Sequence, residues 1–209
     1  MPRYLSVSFQ YSRRKLTDHT VRAFCDTLLR GGLSFAGGVL SSEGDSYDEI
    51  IHWNQQKLEQ NFQLGHTEHY AHDYKQMYLQ YADFSEVRLY IFNQRKEACF
   101  SFELLFLEDD LFADDPVHTW ALRMNQFKKI EKLAAYMWEN EAMECIQAGW
   151  EYAEEPVLYE DIAAGVRPLI DPFCILPKSI IRREWQVEYL DVGRNGAYIR
   201  DIGWFHTAE

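Results

Sequence analysis

The chain has 209 residues, is 47% hydrophobic and 26% charged, and carries a formal charge of −12 at neutral pH. Such a composition excludes global disorder, and an isoelectric point near 5.0 argues against non-specific nucleic-acid binding, because phosphates would be repelled. The longest notable apolar run, Leu104 to Leu107, falls far short of the roughly 18 residues that span a bilayer.

Leu5, Val7, Phe9 and Tyr11 alternate with Ser6, Ser8 and Gln10, the pattern of a strand with one buried face. Thr17 stands where a helix cap belongs, ahead of Val21, Phe24, Cys25, Leu28 and Leu29, which share one helical face. Gly31-Gly32 predicts its end, since glycine tolerates a left-handed helix terminus. A Gly/Ser-rich loop is expected from there to Asp45. Ser46-Tyr47-Asp48-Glu49 is a capping box opening a helix to about Asn61 that buries Ile50, Trp53 and Leu58. Tyr74 to Tyr81 reads as an amphipathic strand, and Val87–Phe92 with Ala98–Leu107 as a hairpin. Asp115-Pro116 suits a helix start. Trp120, Met124, Phe127, Ile130, Ala134 and Met137 recur at threes and fours, predicting a helix that either ends near Asn140, leaving Met143–Tyr152 as a strand, or continues to Gly149. Trp185–Val192 and Ala197–Trp204 flank Asn195-Gly196, which supplies the positive φ of a tight hairpin turn.

Hairpins and amphipathic helices without repeated strand–helix units predict an α+β fold. We expect a single α+β domain over residues 1–209, mainly antiparallel sheet with two or three amphipathic helices packed on it. The N-terminus has no apolar core or cleavage site of a secretory signal. Cys25, Cys99, Cys145 and Cys174 are widely spaced, which fits reduced, packed thiols and a cytoplasmic protein.

The negative charge is regional. Residues 97–122 hold seven acids and residues 133–166 hold eight, with no Lys or Arg in either run. Charge runs are commonly solvated faces, but an acidic patch also steers a basic partner.

No local pattern supplies a catalytic set. His66, His69 and His72 lack the i, i+4 pairing of zinc helices and read as a polar surface segment. Gly32-Leu33-Ser34-Phe35-Ala36 approaches a nucleophile elbow, but follows a helix where the motif needs a strand. Among the cysteines, Cys174 is the remaining candidate nucleophile, and a buried structural thiol suits it better. Asp109-Asp110 and Asp114-Asp115 offer oxygen ligands without the spacing of a calcium loop. We expect no cofactor and no metal.

An acidic α+β domain rich in Trp, with Leu133-Ala134-Ala135-Tyr136-Met137-Trp138 before the acidic stretch Glu141–Glu151 and a closing Asn195-Gly196-Ala197-Tyr198 hairpin, resembles the immunity proteins of bacterial polymorphic-toxin and contact-dependent inhibition systems. The resemblance implies tight binding to a cognate toxin at its active site or an exosite, and transfers no binding residue by position. The expectation is a non-enzymatic protein whose acidic surface meets a basic toxin surface, with no nucleic-acid or membrane partner. Glu108, Asp109, Asp110, Asp114 and Asp115, with Glu154, Glu155 and Asp161, are the expected partner-binding residues. The alternative is a hydrolase or transferase whose site is assembled from distant residues. A cleft gathering the histidines with carboxylates would favour that enzyme, and a flat acidic face the binder. A structural subunit would instead expose an apolar patch.

Overall fold

The computed structural model describes residues 3–63, 74–113, 121–151 and 155–200, and the backbone of 206–208. In chain order the elements are β1 (Tyr4–Ser12), α1 (Thr20–Arg30), β2 (Leu33–Gly38), α2 (Tyr47–Glu59), β3 (Met77–Tyr81), β4 (Val87–Asn93) and β5 (Cys99–Leu107). Then come α3 (Glu108–Leu111), β6 (Phe112–Ala113), β7 (Ala121–Arg123), α4 (Met124–Met137), β8 (Met143–Trp150), α5 (Tyr159–Ala164), β9 (Pro172–Pro177), β10 (Tyr189–Val192), β11 (Gly196–Arg200) and β12 (His206–Ala208). The fold is α+β. Nine strands form one antiparallel sheet in the order β10-β11-β9-β8-β1-β5-β4-β3-β2, and β12-β7-β6 form a small second sheet.

β1 lies in the middle of the large sheet, so both of its faces matter. Leu5, Val7 and Phe9 point into the main core and are at most 1% exposed. They share it with Phe100, Phe102, Leu104 and Phe106 of β5, and α1 closes over them. Phe24 of α1 stacks on Phe102 with centroids 3.9 Å apart and meets Phe9 edge-on at 5.4 Å. Aromatic pairs of this kind each add about 0.5–1.5 kcal/mol beyond their buried area. α4 extends the same core, its Phe127 edge-on to Phe173 of β9.

The alternate residues of β1 face the other way, and that face is also covered. Ser8 and Gln10 are buried, where a simple amphipathic strand would leave them in water. Over β8, β9 and β11 the cover is an irregular segment running from residue 155 through α5 to β9. An irregular segment has unpaired backbone groups that need partners when buried. Two glutamines supply them. Gln147 accepts from Val157 N at 3.2 Å and Leu169 N at 3.0 Å, and donates to Val157 O at 2.6 Å. Gln10 donates to Val157 O and accepts from Tyr159 N, both at 2.9 Å. Ile162, Trp185, Cys145, Cys174, Leu176 and Ile199 fill a second core beneath this segment.

Several expectations change in the folded chain. The Gly/Ser-rich stretch after α1 is not all loop. Leu33–Gly38 is an edge strand paired with β3, with a register shift between Phe35 and Gly37. β3 provides the hydrogen-bonding partner, and glycine absorbs the irregularity. Thr17 does not cap α1 directly. His19 is the cap residue and makes no side-chain cap bond, while Thr17 N donates to Thr20 Oγ1 at 2.8 Å. α4 starts only at Met124, because Ala121–Arg123 pair with β6 and β12. Trp185 ends a 3-10 turn and does not open a strand. The Ser46–Glu49 capping box forms as expected. The last hairpin forms too, but its positive φ values fall on Arg194 and Asn195, one residue earlier than the expected Asn195-Gly196 pair, and Gly196 opens β11. Asp115-Pro116 and Trp120 lie outside the described residues.

Candidate functional site

Register across β8, β1, β5 and β4 aligns the polar face in rows. One row runs Gln147, Ser8, Glu103, Tyr90; the next runs Gly149, Ser6, Leu105, Arg88; a third runs Cys145, Gln10, Ser101, Phe92. Small side chains, Ser6, Ser8, Ser101 and Gly149, occupy the middle. Larger ones, such as Tyr4, Tyr90, Phe92 and Leu158, stand around them. The height difference makes a pocket of about 400 Å³ on this face of the sheet.

Glu103 lies at its centre, 5% exposed. Ser6 Oγ donates to Glu103 Oε2 at 2.8 Å, and Ser8 Oγ to Oε1 at 2.7 Å. Ser101 Oγ donates to Oε1 as well. Burial still holds this carboxyl above the usual carboxylate range, although the three hydroxyls pull it down. The hydroxyls compensate part of the desolvation, and none brings a positive charge.

The rim is acidic. Glu97, Glu151 and Glu155 line the same pocket, and none of the described lining residues is Lys, Arg or His. Burial, with the negative charges of Asp161 and Glu155, pushes the Glu97 carboxyl up. Burial is also the main cause of the raised Tyr90 hydroxyl, with Glu103 and Glu151 adding to it. Glu97 and Glu103 belong to the first acidic run, and Glu151, Glu155 and Asp161 to the second. The two runs therefore meet over β1, β5 and β4.

The expected partner-binding residues divide. Glu155 is exposed at the pocket rim, and Asp161 is exposed in the first turn of α5, close enough to act on Glu97. Asp109 is exposed. Asp110 Oδ2 accepts from Ser85 N and Ser85 Oγ, both at 2.8 Å, and so holds a turn. Glu108 is turned inward, 3% exposed. Its carboxyl is pushed up by burial and by Asp109 and Glu151, against Arg3. Asp114, Asp115 and Glu154 lie outside the described residues, as do His66, His69 and His72.

Other candidate chemistry is absorbed into structure. Ser34 is an exposed residue of edge strand β2, 3.5 Å from Gln80 Oε1. All four cysteines are buried and free. Burial pushes Cys99 up to about 11 and Cys25 up to about 12, and raises Cys145 and Cys174 further, which disfavours thiolate chemistry at Cys174. Among the described residues no group of three His, Cys, Asp or Glu is placed to hold a metal ion, and no helix is long and apolar enough to cross a membrane.

Sequence reasoning did not single out Glu103, Tyr90, Ser6 or Ser8. A signal existed: Ser-x-Ser-x-Gln in β1 and Ser-x-Glu in β5 both place polar residues on alternate positions. Only the pairing of Ser8 with Glu103 shows that the two polar stripes are one surface. Comparison with family models, curated proteins and solved structures gave no match.

Proposed function

We propose that this chain is a non-enzymatic binding protein, an immunity protein that neutralises a cognate bacterial toxin in the cytoplasm by occluding it. The observation that carries the reading is the convergence of Glu97, Glu103, Glu151, Glu155 and Asp161, from two separate acidic runs, on one face of the sheet. An acidic face accelerates encounter with a basic surface and rejects acidic competitors. A specific complex buries about 1,600 Å² in total, so the contact would extend past the pocket to neighbouring surface such as Asp109.

The test is to mix the protein with the product of the gene immediately upstream of its own and measure complex formation by size exclusion with light scattering. A stoichiometric complex that weakens with salt, and that associates more slowly when Glu151 and Glu155 are both changed to Lys, supports the reading. Two folded proteins that form no complex overturn it.

A second reading rests on the pocket itself. A carboxyl kept from water and raised in pKa, as at Glu103, suits a general acid, so a hydrolase or transferase would centre there. Turnover of any screened substrate that disappears in Glu103→Gln would favour this reading.

A further inference from the structure

We propose that the pocket over β1, β5 and β4 binds an organic cation, a guanidinium or primary ammonium on an extended chain, with Glu103 as the counter-charge at its floor. This rests on the reading of the acidic face as a binding surface and specifies what enters it.

Three observations carry the inference. First, the pocket floor holds a carboxyl group with no counter-charge among the described lining residues. Glu103 is 5% exposed, its hydrogen bonds come from three serine hydroxyls, and no described lining residue is basic. Burying a carboxylate without a countercharge is costly, and an apolar residue of similar size commonly gives a more stable core. Stability therefore does not explain a glutamate here, whereas a cationic ligand does. Second, the lining is rich in acceptors. The serine hydroxyls spend their protons on Glu103 and keep lone pairs, and Glu97, Glu151 and Glu155 add carboxylates at the rim. A donor-rich cation satisfies such a lining. Third, Tyr90 and Phe92 line the pocket with aromatic rings, and aromatic faces attract ammonium and guanidinium groups. The volume of about 400 Å³ is at the small end for ligand pockets, suited to one extended side chain or a small diamine.

The cation can be an Arg or Lys side chain of the toxin or a free small molecule, and the experiment separates them. The full-length protein is titrated calorimetrically with agmatine, with 1,4-diaminobutane and with the neutral 1,4-butanediol. Wild type, Glu103→Gln and a remote control, Asp18→Asn, are compared, each checked for folding by circular dichroism. Saturable binding of agmatine or the diamine, absent for butanediol, unchanged in Asp18→Asn and about tenfold or more weaker in Glu103→Gln, is expected. No cation binding to folded wild type, or binding indifferent to Glu103→Gln, overturns the proposal.

Competition then assigns the source. Displacement of the toxin by excess agmatine identifies a toxin side chain as the occupant, and cation binding without displacement identifies a free small molecule. If the toxin complex forms while no cation binds, the pocket inference falls and the immunity reading stands. If the cation binds while no toxin complex forms, the immunity reading falls and the pocket inference stands.

Discussion

Arg194 lays its guanidinium over the indole of Trp138, 4.6 Å from the ring centroid, and donates to the Trp138 carbonyl oxygen at 2.6 Å. Trp138 caps the C-terminus of α4, where the last carbonyls lack partners within the helix. Arg194 also donates to Asn140 O. The tip of the β10–β11 hairpin is thereby clamped to the end of α4, where a cation complements the helix dipole. Arg194→Ala is expected to cost about 2 kcal/mol, from lost charged hydrogen bonds and the cation–π contact. Urea unfolding with an unchanged m-value measures it. A loss below ~0.5 kcal/mol, the usual size of a surface substitution, would mean the clamp contributes little.

The same corner constrains Gly196. A Cβ there would lie 2.3 Å from Trp138 Nε1 and 2.7 Å from Val192 Cγ1. Trp138 is fully buried and has little room to yield. Gly196→Ala should therefore lower stability by about 2–3 kcal/mol through overpacking. Combining it with Trp138→Phe, which removes the colliding edge, should give less destabilisation than the sum of the two changes. Strict additivity would show that the collision is not the cause.

Gln147 holds the cover over the second core. Gln147→Ala would leave Val157 N and Leu169 N without these bonds, while Val157 O keeps the bond from Gln10. Buried backbone groups stripped of partners cost about 1–3 kcal/mol each, partly relieved if water enters. A total loss of about 3 kcal/mol is expected, with faster amide exchange at Val157 and Leu169 than at Val7 in β1. Uniform acceleration across the chain would instead indicate global weakening with no local release.

Glu103 imposes a pH dependence whose sign follows from its burial. Its carboxyl is held above 4.5, the value it regains on unfolding. Between 4.5 and the folded value, the native state keeps a proton that the unfolded chain has released. Stability therefore falls as pH rises through that window, and the full loss is reached above the folded value. Glu103→Gln removes the charge and keeps hydrogen-bonding capacity, so it should be more stable than wild type at pH 7. The gap should close as the pH approaches 4.5. Denaturation of both proteins from pH 4.5 to 7.5 tests this, and a gap independent of pH would refute it.

The fold was legible wherever the signal was local. The alternation of Leu5 to Tyr11, the Ser46–Glu49 box and the hairpin around Asn195 each depend on residues close together in the chain, although the turn sits one residue earlier than Asn195-Gly196. β2 was hidden because its glycines read as loop, and the partner that makes it a strand lies some forty residues further on in β3. The acidic runs were visible, but which carboxylates meet was not. Emphasis therefore fell on Glu108 and Asp110, which have structural surroundings, and missed Glu103 among its neighbours.

The class of fold, most of the strands and helices and the regional excess of acid are legible in the chain alone, because periodicity, capping and charge are properties of short segments. Only strand pairing shows that Ser6, Ser8, Ser101 and Glu103 form one floor, in a pocket that Glu97 and Glu155 also line. Strand register brings together residues nearly a hundred positions apart, and burial then changes what those groups are. A serine that reads as the wet side of a strand becomes a donor to an enclosed carboxylate, and one acid among many becomes the charge at the bottom of a pocket.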